Sequence, residues 1–383
     1  MENITVGTVS PLPPATGPHE GRLDRVRARL HQAGLDYCFV GPSSDLHYLT
    51  GLSLHASERL ALLVVPRDGP ASLVVPAFEA AGLGGLPPGV CLVPWQESEE
   101  PAQRVGALLP GATDGEPATI AVGDQLWSVF LLRLQAVLPQ ATFSTAAAVL
   151  APERIVKDSG EIAALTEAAA CADDAFTDIR QLRFAGQSEH QVAEAIAGLL
   201  RRRGLLVEWG PIVASGPNGA SPHHSAGDRI IAEGDLVVLD YGGRLNGYHA
   251  DMTRTVAVGH EPRDEMRVVY DLVYQAQETG VQAARPGMTG EDLDTVVREY
   301  LASEGYGEFF THRLGHGIGL DGHEAPYLVQ GGQTPLGPGM AFSIEPGLYL
   351  PGRFGVRIED IVVLLPTGAQ RLNRAPRELV VVE

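Results

Sequence analysis

Four carboxylates and one imidazole in this chain stand at spacings that suit metal binding. In LVVLDYGGRLNGYHADMTRT (236–255) an apolar run ends in Asp240, and Asp251 follows eleven positions later. Gly242, Gly243 and the Asn246-Gly247 pair lie between them, a strong hairpin signal. A turn centred on Leu245-Asn246 sets the two aspartates directly opposite; one centred on Asn246-Gly247 makes them diagonal neighbours two residues out of step. Side chains alternate faces along a strand, so either register puts both carboxylates on one face. Two anions ~4 Å apart repel by several kcal/mol at a protein-like effective dielectric, a cost that a cation turns into a binding site. A second pair, Glu345 and Glu359, is fourteen positions apart around Pro351-Gly352. A three-residue turn centred on Gly352 makes them direct cross-strand partners.

His316 in RLGHGIG is flanked by glycines, which let backbone approach a ligand closely. His312 and His323 lie four before and seven after it. Four carboxylates with an imidazole form an oxygen-rich set that fits divalent manganese, cobalt, zinc or iron better than calcium. Two divalent ions balance four negative charges, and a water between them loses a proton at neutral pH. No Ser or Cys nucleophile is then needed. Arg357, two before Glu359, alternates onto the same strand face and is placed to neutralise or orient the carboxylates.

The elements that must position these groups read as two domains in 383 residues. From 21 to 150 helical and strand patterns alternate, which predicts an α/β domain. GRLDRVRARLHQAG carries Leu23, Val26 and Leu30 at helical spacing before Gly34. Strand-like runs follow at 37–40, 60–65, 72–75, 90–93 and 119–122. The isolated His47 is read as a structural or surface residue. PERIVKD (152–158) reads as the junction. Residues 151–383 then carry helices at 159–180, 188–203, 262–284 and 290–304, the second capped by Ser188 and ended by Gly204. Between the first pair and the Asp hairpin runs IVASGPNGASPHHSAGDR, a Gly/Ser/Pro-rich loop with His223 and His224, of the kind that positions functional groups. Each half of this second domain offers helices and an acidic hairpin, a coarse internal echo.

Composition narrows the function. A net charge of −19 argues against nucleic acid or an anionic membrane as partner. Three cysteines without a Cys-x-x-Cys pair exclude a disulfide scaffold and a thiolate zinc site, and suit a reducing compartment. Residues 1–20 read as a loose tail rather than a signal peptide, and no apolar stretch reaches membrane-spanning length. A cytoplasmic protein is expected.

Taken in order, ASGPNGASPHH, LDYGGRLNGYHADMTRT, HRLGHGIGLDGHEAP, SIEPGLYLPG and GVRIED resemble the pita-bread metallopeptidases, above all the Xaa-Pro dipeptidases (prolidases) and aminopeptidases P. The first half, with SDLHYLTG, is similar to the creatinase/prolidase N-terminal domain, so the resemblance covers essentially the whole chain. It implies an α/β N-terminal domain followed by an α+β pita-bread catalytic domain. It implies Asp240 and Asp251 on one metal, His316 and Glu345 on the other, and Asp251 and Glu359 bridging. Glu345 would take the proton of the attacking water. His223 and His323 would contact substrate and stabilise the oxyanion, His312 would line the proline pocket, and Arg357 would support the site. The reaction implied is hydrolysis of the bond preceding proline by a hydroxide bridging two divalent metals, manganese foremost. The expected substrate is an Xaa-Pro dipeptide, or alternatively a longer peptide as in aminopeptidase P, and the expected assembly is a homodimer. A creatinase-like hydrolase works without metal, and silent binding proteins of this fold have lost ligands; all five ligands stand here. Two departures remain. Gly322 stands where relatives usually carry a larger apolar residue, and no arginine announces itself as the clamp for a dipeptide's free carboxylate.

Overall fold

The computed structural model describes residues 19, 21–109, 117–262 and 264–383. The tail expected over 1–20 lies outside them apart from His19. The chain divides into two compact units between Arg154 and Ile155.

In the first unit, α1 (Arg22–Ala33) buries Leu23, Val26 and Leu30 and ends at Gly34, whose φ of 67° is the left-handed cap conformation. The remaining elements are β1 (Tyr37–Val40), α2 (Ser44–Thr50), β2 (Leu62–Pro66), β3 (Ala71–Pro76), α3 (Ala77–Ala80), β4 (Val90–Trp95), α4 (Pro101–Gly106), β5 (Thr119–Val122), α5 (Ser128–Val137), β6 (Thr142–Thr145) and α6 (Ala147–Arg154). The strands form one mixed sheet ordered β4-β3-β2-β1-β5-β6, the α/β unit that the alternating pattern predicts. Helix α6 runs where the sequence suggests a junction, and it contains Pro152. Tertiary contacts outweigh that breaker. Glu153 pairs with Arg25 and Arg29, and its carbonyl accepts from the Tyr48 hydroxyl at 2.9 Å.

The second unit opens with α7 (Ser159–Ile179) and α8 (Glu189–Arg202), each started by a reciprocal capping box, Asp158 with Glu161 and Ser188 with Gln191. Then come β7 (Ile212–Ser215), β8 (Leu236–Leu245), β9 (Tyr248–Val258), α9 (Asp264–Ala283), α10 (Gly290–Ser303), β10 (Gly315–Gly317), β11 (Glu324–Leu328), β12 (Ala341–Ile344), β13 (Gly347–Leu350), β14 (Phe354–Arg357), β15 (Asp360–Leu365), β16 (Gly368–Arg371) and β17 (Val380–Val382). A four-stranded sheet is ordered β17-β9-β8-β7, a five-stranded one β11-β10-β12-β15-β16, and β13 pairs with β14 alone. Two apolar cores mirror the internal echo. Helices α7 and α8 pack Phe176, Ile196 and Leu200 with Val237 and Met252 of the β8–β9 hairpin. Helices α9 and α10 pack Val273 and Val297 with Phe342, Leu348 and Val356. The carboxylates stand on the hairpins that these helices support.

Candidate metal centre

Asn246 (φ 50°) and Gly247 (φ 92°) both adopt positive φ between the paired residues Leu245 and Tyr248, so the first hairpin closes on a two-residue turn of the type I′ kind. Of the two registers open from sequence, this selects the diagonal one. Asp240 lies opposite Thr253, and Asp251 opposite Gly242. Glycine is required at 242, because a Cβ there would sit 2.0 Å from the Ala250 carbonyl oxygen.

The second hairpin turns through Gly352 (φ 72°), with Leu350 opposite Phe354. Gly347↔Arg357 and Ile344↔Asp360 share one register, which sets Glu345 across from Glu359. At that point the strands part. The Glu345 N–H donates to the Leu314 carbonyl at 2.9 Å, and the Glu359 N–H to the Thr253 carbonyl at 3.1 Å. The opening leaves both carboxylates at the seam between sheets, facing the Asp hairpin.

His316 arrives on β10, squeezed between β11 and β12. A Cβ on Gly315 would lie 2.0 Å from the Ser343 carbonyl oxygen, and one on Gly317 2.2 Å from that of Ala325, so only glycines let the strand through. The His316 ring faces the Gly317 carbonyl with Nδ1 at 3.0 Å. A proton there leaves the Nε2 lone pair to point at Glu345 Oε1, 3.4 Å away, and Asp251 Oδ2, 3.8 Å away.

Potential ligand atoms therefore gather in overlapping triads whose members lie within 4.8 Å of one another: Asp240, Asp251, Glu359; His316, Glu345, Glu359; and Asp251, His316, His323. The donor set fits divalent cations on three counts. Glu359 Oε1 is buried without a hydrogen-bond partner. Burial, reinforced by neighbouring carboxylates, pushes Asp251 and Glu359 well above the carboxylate range, and burial pushes Glu345 up to about 7 despite the opposing Arg357. Burial, with His323 adding to it, pushes His316 down to about 3, so its imidazole is neutral and able to ligate. Cations would let all four carboxylates ionise together.

Arg357, 3% exposed, offsets one of those charges. It donates from Nη2 to Asp240 Oδ2 at 2.7 Å, from Nη1 to the Tyr349 hydroxyl at 2.8 Å and the Pro222 carbonyl at 3.2 Å, and from Nε to Thr253 Oγ1 at 3.2 Å. Thr253 passes the contact on, donating to Glu359 Oε2 at 2.7 Å. Ser343 does the same across the seam, accepting from the His316 N–H at 3.0 Å and donating to Glu345 Oε1 at 3.1 Å. Tyr349 completes a chain: its hydroxyl accepts from Arg357 and meets His312 Nε2 at 2.8 Å, while His312 Nδ1 faces the Arg313 carbonyl at 2.7 Å. Burial and then Arg357 push His312 down to about 4, keeping it neutral in that chain.

The triads bring together Asp240, Asp251, His316, His323, Glu345 and Glu359, and Arg357 and His312 join them through Asp240 and Tyr349. The exposed His323 ring lies 3.8 Å from that of His316, and Arg313 Nη2 approaches its Nδ1 at 3.2 Å. His223 is exposed, on a loop anchored through Pro222 to Arg357. Beside His323, the Glu324 carboxylate accepts from Lys157 Nζ at 2.6 Å, the two side chains 9% and 1% exposed. Thr253, Ser343, Tyr349 and Arg313 were not picked out from sequence. Thr253 was within reach of such reasoning, since it shares a strand face with Asp251.

The chain belongs to metallopeptidase family M24: the model of that family matches residues 163–366, and the creatinase/prolidase N-terminal domain matches 22–156. Its architecture is accordingly the creatinase-type α/β domain followed by the pita-bread catalytic fold, and its class is that of metal-dependent peptidases. It is similar over 368 residues to the Mycobacterium tuberculosis protein named "Probable dipeptidase PepE", with 41% identity covering 94% of this chain and 96% of that one. The Xaa-Pro dipeptidase of Lactobacillus delbrueckii subsp. lactis is 34% identical, covering 93% of this chain and 98% of its own. Among solved structures, the recombinant prolidase from Thermococcus sibiricus superposes with a TM-score of 0.89 at 36% identity, covering 96% of this chain and all of that chain. No helix among the described residues is long and apolar enough to cross a membrane.

Proposed function

We propose that this protein hydrolyses the peptide bond preceding proline in Xaa-Pro dipeptides, using two divalent cations. The observation that carries the reading is the pair of donor triads sharing Glu359, a carboxylate with an otherwise orphaned oxygen. Asp240 and Asp251 with Glu359 would hold one cation, and His316 and Glu345 with Glu359 the other. Asp251 is within reach of both. When bound, such a pair supplies Lewis acidity and lowers the pKa of water, with manganese foremost for this oxygen-rich set and cobalt, zinc or iron also suitable.

The scissile bond is a tertiary amide with no N–H, and its nitrogen must be protonated to leave. Glu345 takes a proton from the attacking water and returns it to that nitrogen. His323 stabilises the oxyanion: with Arg313 donating to Nδ1, its Nε2 carries the proton it needs to donate. His223 approaches the same oxygen from the opposite loop, and His312 walls the proline ring.

Length preference turns on the free carboxylate of a dipeptide. The donors of Arg357 are committed to Asp240, Thr253, Tyr349 and Pro222, and those of Arg298 to Asp294 and the carbonyls of Phe310 and His312. Arg313, half-buried beside His323 and 4.8 Å over the Tyr327 ring, is the cation placed to read that carboxylate. This supports a dipeptidase over an aminopeptidase P. The test compares product release from Ala-Pro and Ala-Pro-Ala, with manganese and with chelator. Metal-dependent cleavage mainly of Ala-Pro is the expected result; preferential cleavage of Ala-Pro-Ala would assign aminopeptidase P, and turnover unaffected by chelation would overturn the metal reading. The same proposal carries a homodimer, checked by light scattering, and a cytoplasmic location, consistent with three unpaired cysteines and checked by fractionation.

A further inference from the structure

Glu189, the first residue of α8, is fully buried yet meets no lysine or arginine among its hydrogen-bond partners. Its Oε1 accepts from the Ser215 N–H at 2.8 Å, the Ser215 hydroxyl at 2.7 Å and Asn218 Nδ2 at 3.0 Å. Its Oε2 lies 2.7 Å from His224 Nε2 and accepts from the Gly227 N–H at 3.3 Å. All of these partners belong to one stretch, from the end of β7 through the loop that carries His223. Burial works to raise the carboxyl's pKa, but the bonds from Ser215, His224 and Asn218 outweigh it and hold the group below the ordinary range.

The far side of the same loop is gripped by the catalytic hairpin. Pro222 accepts from Arg357, and a Cβ on Gly355 would sit 1.9 Å from the Gly219 carbonyl oxygen, so the two backbones are in contact. His223 is thus held between a neighbour bound to Arg357 and a neighbour bound to Glu189. A fully buried carboxylate, distant in sequence from every ligand, holds the residue next to the exposed imidazole.

We propose that Glu189 is a positioning residue, setting the His223 imidazole against the substrate through its contact with His224. The proposal rests on the reading above in which His223 contacts substrate. The mutant cycle uses the manganese-loaded full chain and Ala-Pro, with Glu189→Gln, His223→Ala and the double variant. His224→Ala serves as a second route, cutting the link while leaving the other bonds of Glu189. We expect Glu189→Gln and His224→Ala each to lower kcat/KM by about tenfold, through misplacement of a contacting group. In the His223→Ala background the same substitutions should change it by less than about twofold, as expected when one residue acts only through the other. Metal content and the melting temperature report separately on the fold. Equal losses with and without His223 would make Glu189 a structural residue and overturn the proposal, as would an unchanged kcat/KM in both variants. A fully active His223→Ala would instead remove His223 from the substrate, and positioning would fall with it. The single variant thereby tells the two failures apart.

Discussion

Glu345 and Arg313 illustrate what single side chains are asked to do. Glu345→Gln keeps the shape that accepts from Ser343 but cannot carry a proton, so kcat on Ala-Pro should fall by about 10³-fold while circular dichroism stays that of the parent. Near-normal turnover would remove Glu345 from the mechanism. Arg313→Gln should raise KM for Ala-Pro by about tenfold, close to 1.4 kcal/mol, and leave that for Ala-Pro-Ala little changed. Equal effects on both substrates would deny Arg313 the carboxylate. The legibility of such residues differs for physical reasons. His316 could be read because its flanking glycines announce a crowded backbone. Tyr349 could not, because a hydroxyl in a strand looks the same whether it bridges Arg357 to a site residue or fills space. Arg313 escaped because the direction of its side chain is set by the loop that brings His323 back beside it.

At the scale of elements, the two acidic hairpins use different devices. The first depends on its turn: Asn246-Gly247 fixes the register, and the sequence alone left two registers open because Leu245-Asn246 was an admissible centre. The second depends on where its strands separate, which follows from competition for backbone partners by Leu314 and Thr253, long-range contacts that no local pattern encodes. The order of the five-stranded sheet was unreadable for the same reason. The helices, by contrast, advertise themselves through caps and spacing. The exception is α6, where Pro152 argued for a break. The glycine contact between the loop and β14 gives a test at this scale. Gly355→Ala would drive a methyl into the Gly219 carbonyl and should cost roughly 1–3 kcal/mol by overpacking, measured by denaturant unfolding. It should also lower activity, since the displaced loop carries His223. A fully stable and active variant would show that the two backbones can separate freely.

For the molecule as a whole, the donor cluster ties the halves of the catalytic unit together, because two of its three triads join Asp251 of the first hairpin to residues of the second half. Cation binding should therefore appear as folding stability. At a free manganese concentration ~100-fold above its dissociation constant the gain is about 2.7 kcal/mol. For a unit of this size that is a rise of about 5–10 °C in melting temperature, reversed by chelator. A melting curve indifferent to both would mean that the cluster of carboxylates is not a resident metal site. The two-domain reading needed only the change in pattern along the chain, and the units divide between Arg154 and Ile155, inside the 152–158 stretch read as the junction and at the end of α6.

The buried pair of Lys157 and Glu324 bears on how small a working catalyst can be cut from this chain. The family match to the catalytic part begins at 163, inside α7, beyond both Lys157 and the cap residue Asp158. A fragment started there would lose Lys157 and with it the 2.6 Å ion pair that it makes with Glu324 beside His323. Ile155, 4% exposed, is already part of the apolar core. The minimal fragment therefore starts no later than that residue, and the few positions ahead of α7 belong to the enzyme's working parts rather than to a spacer.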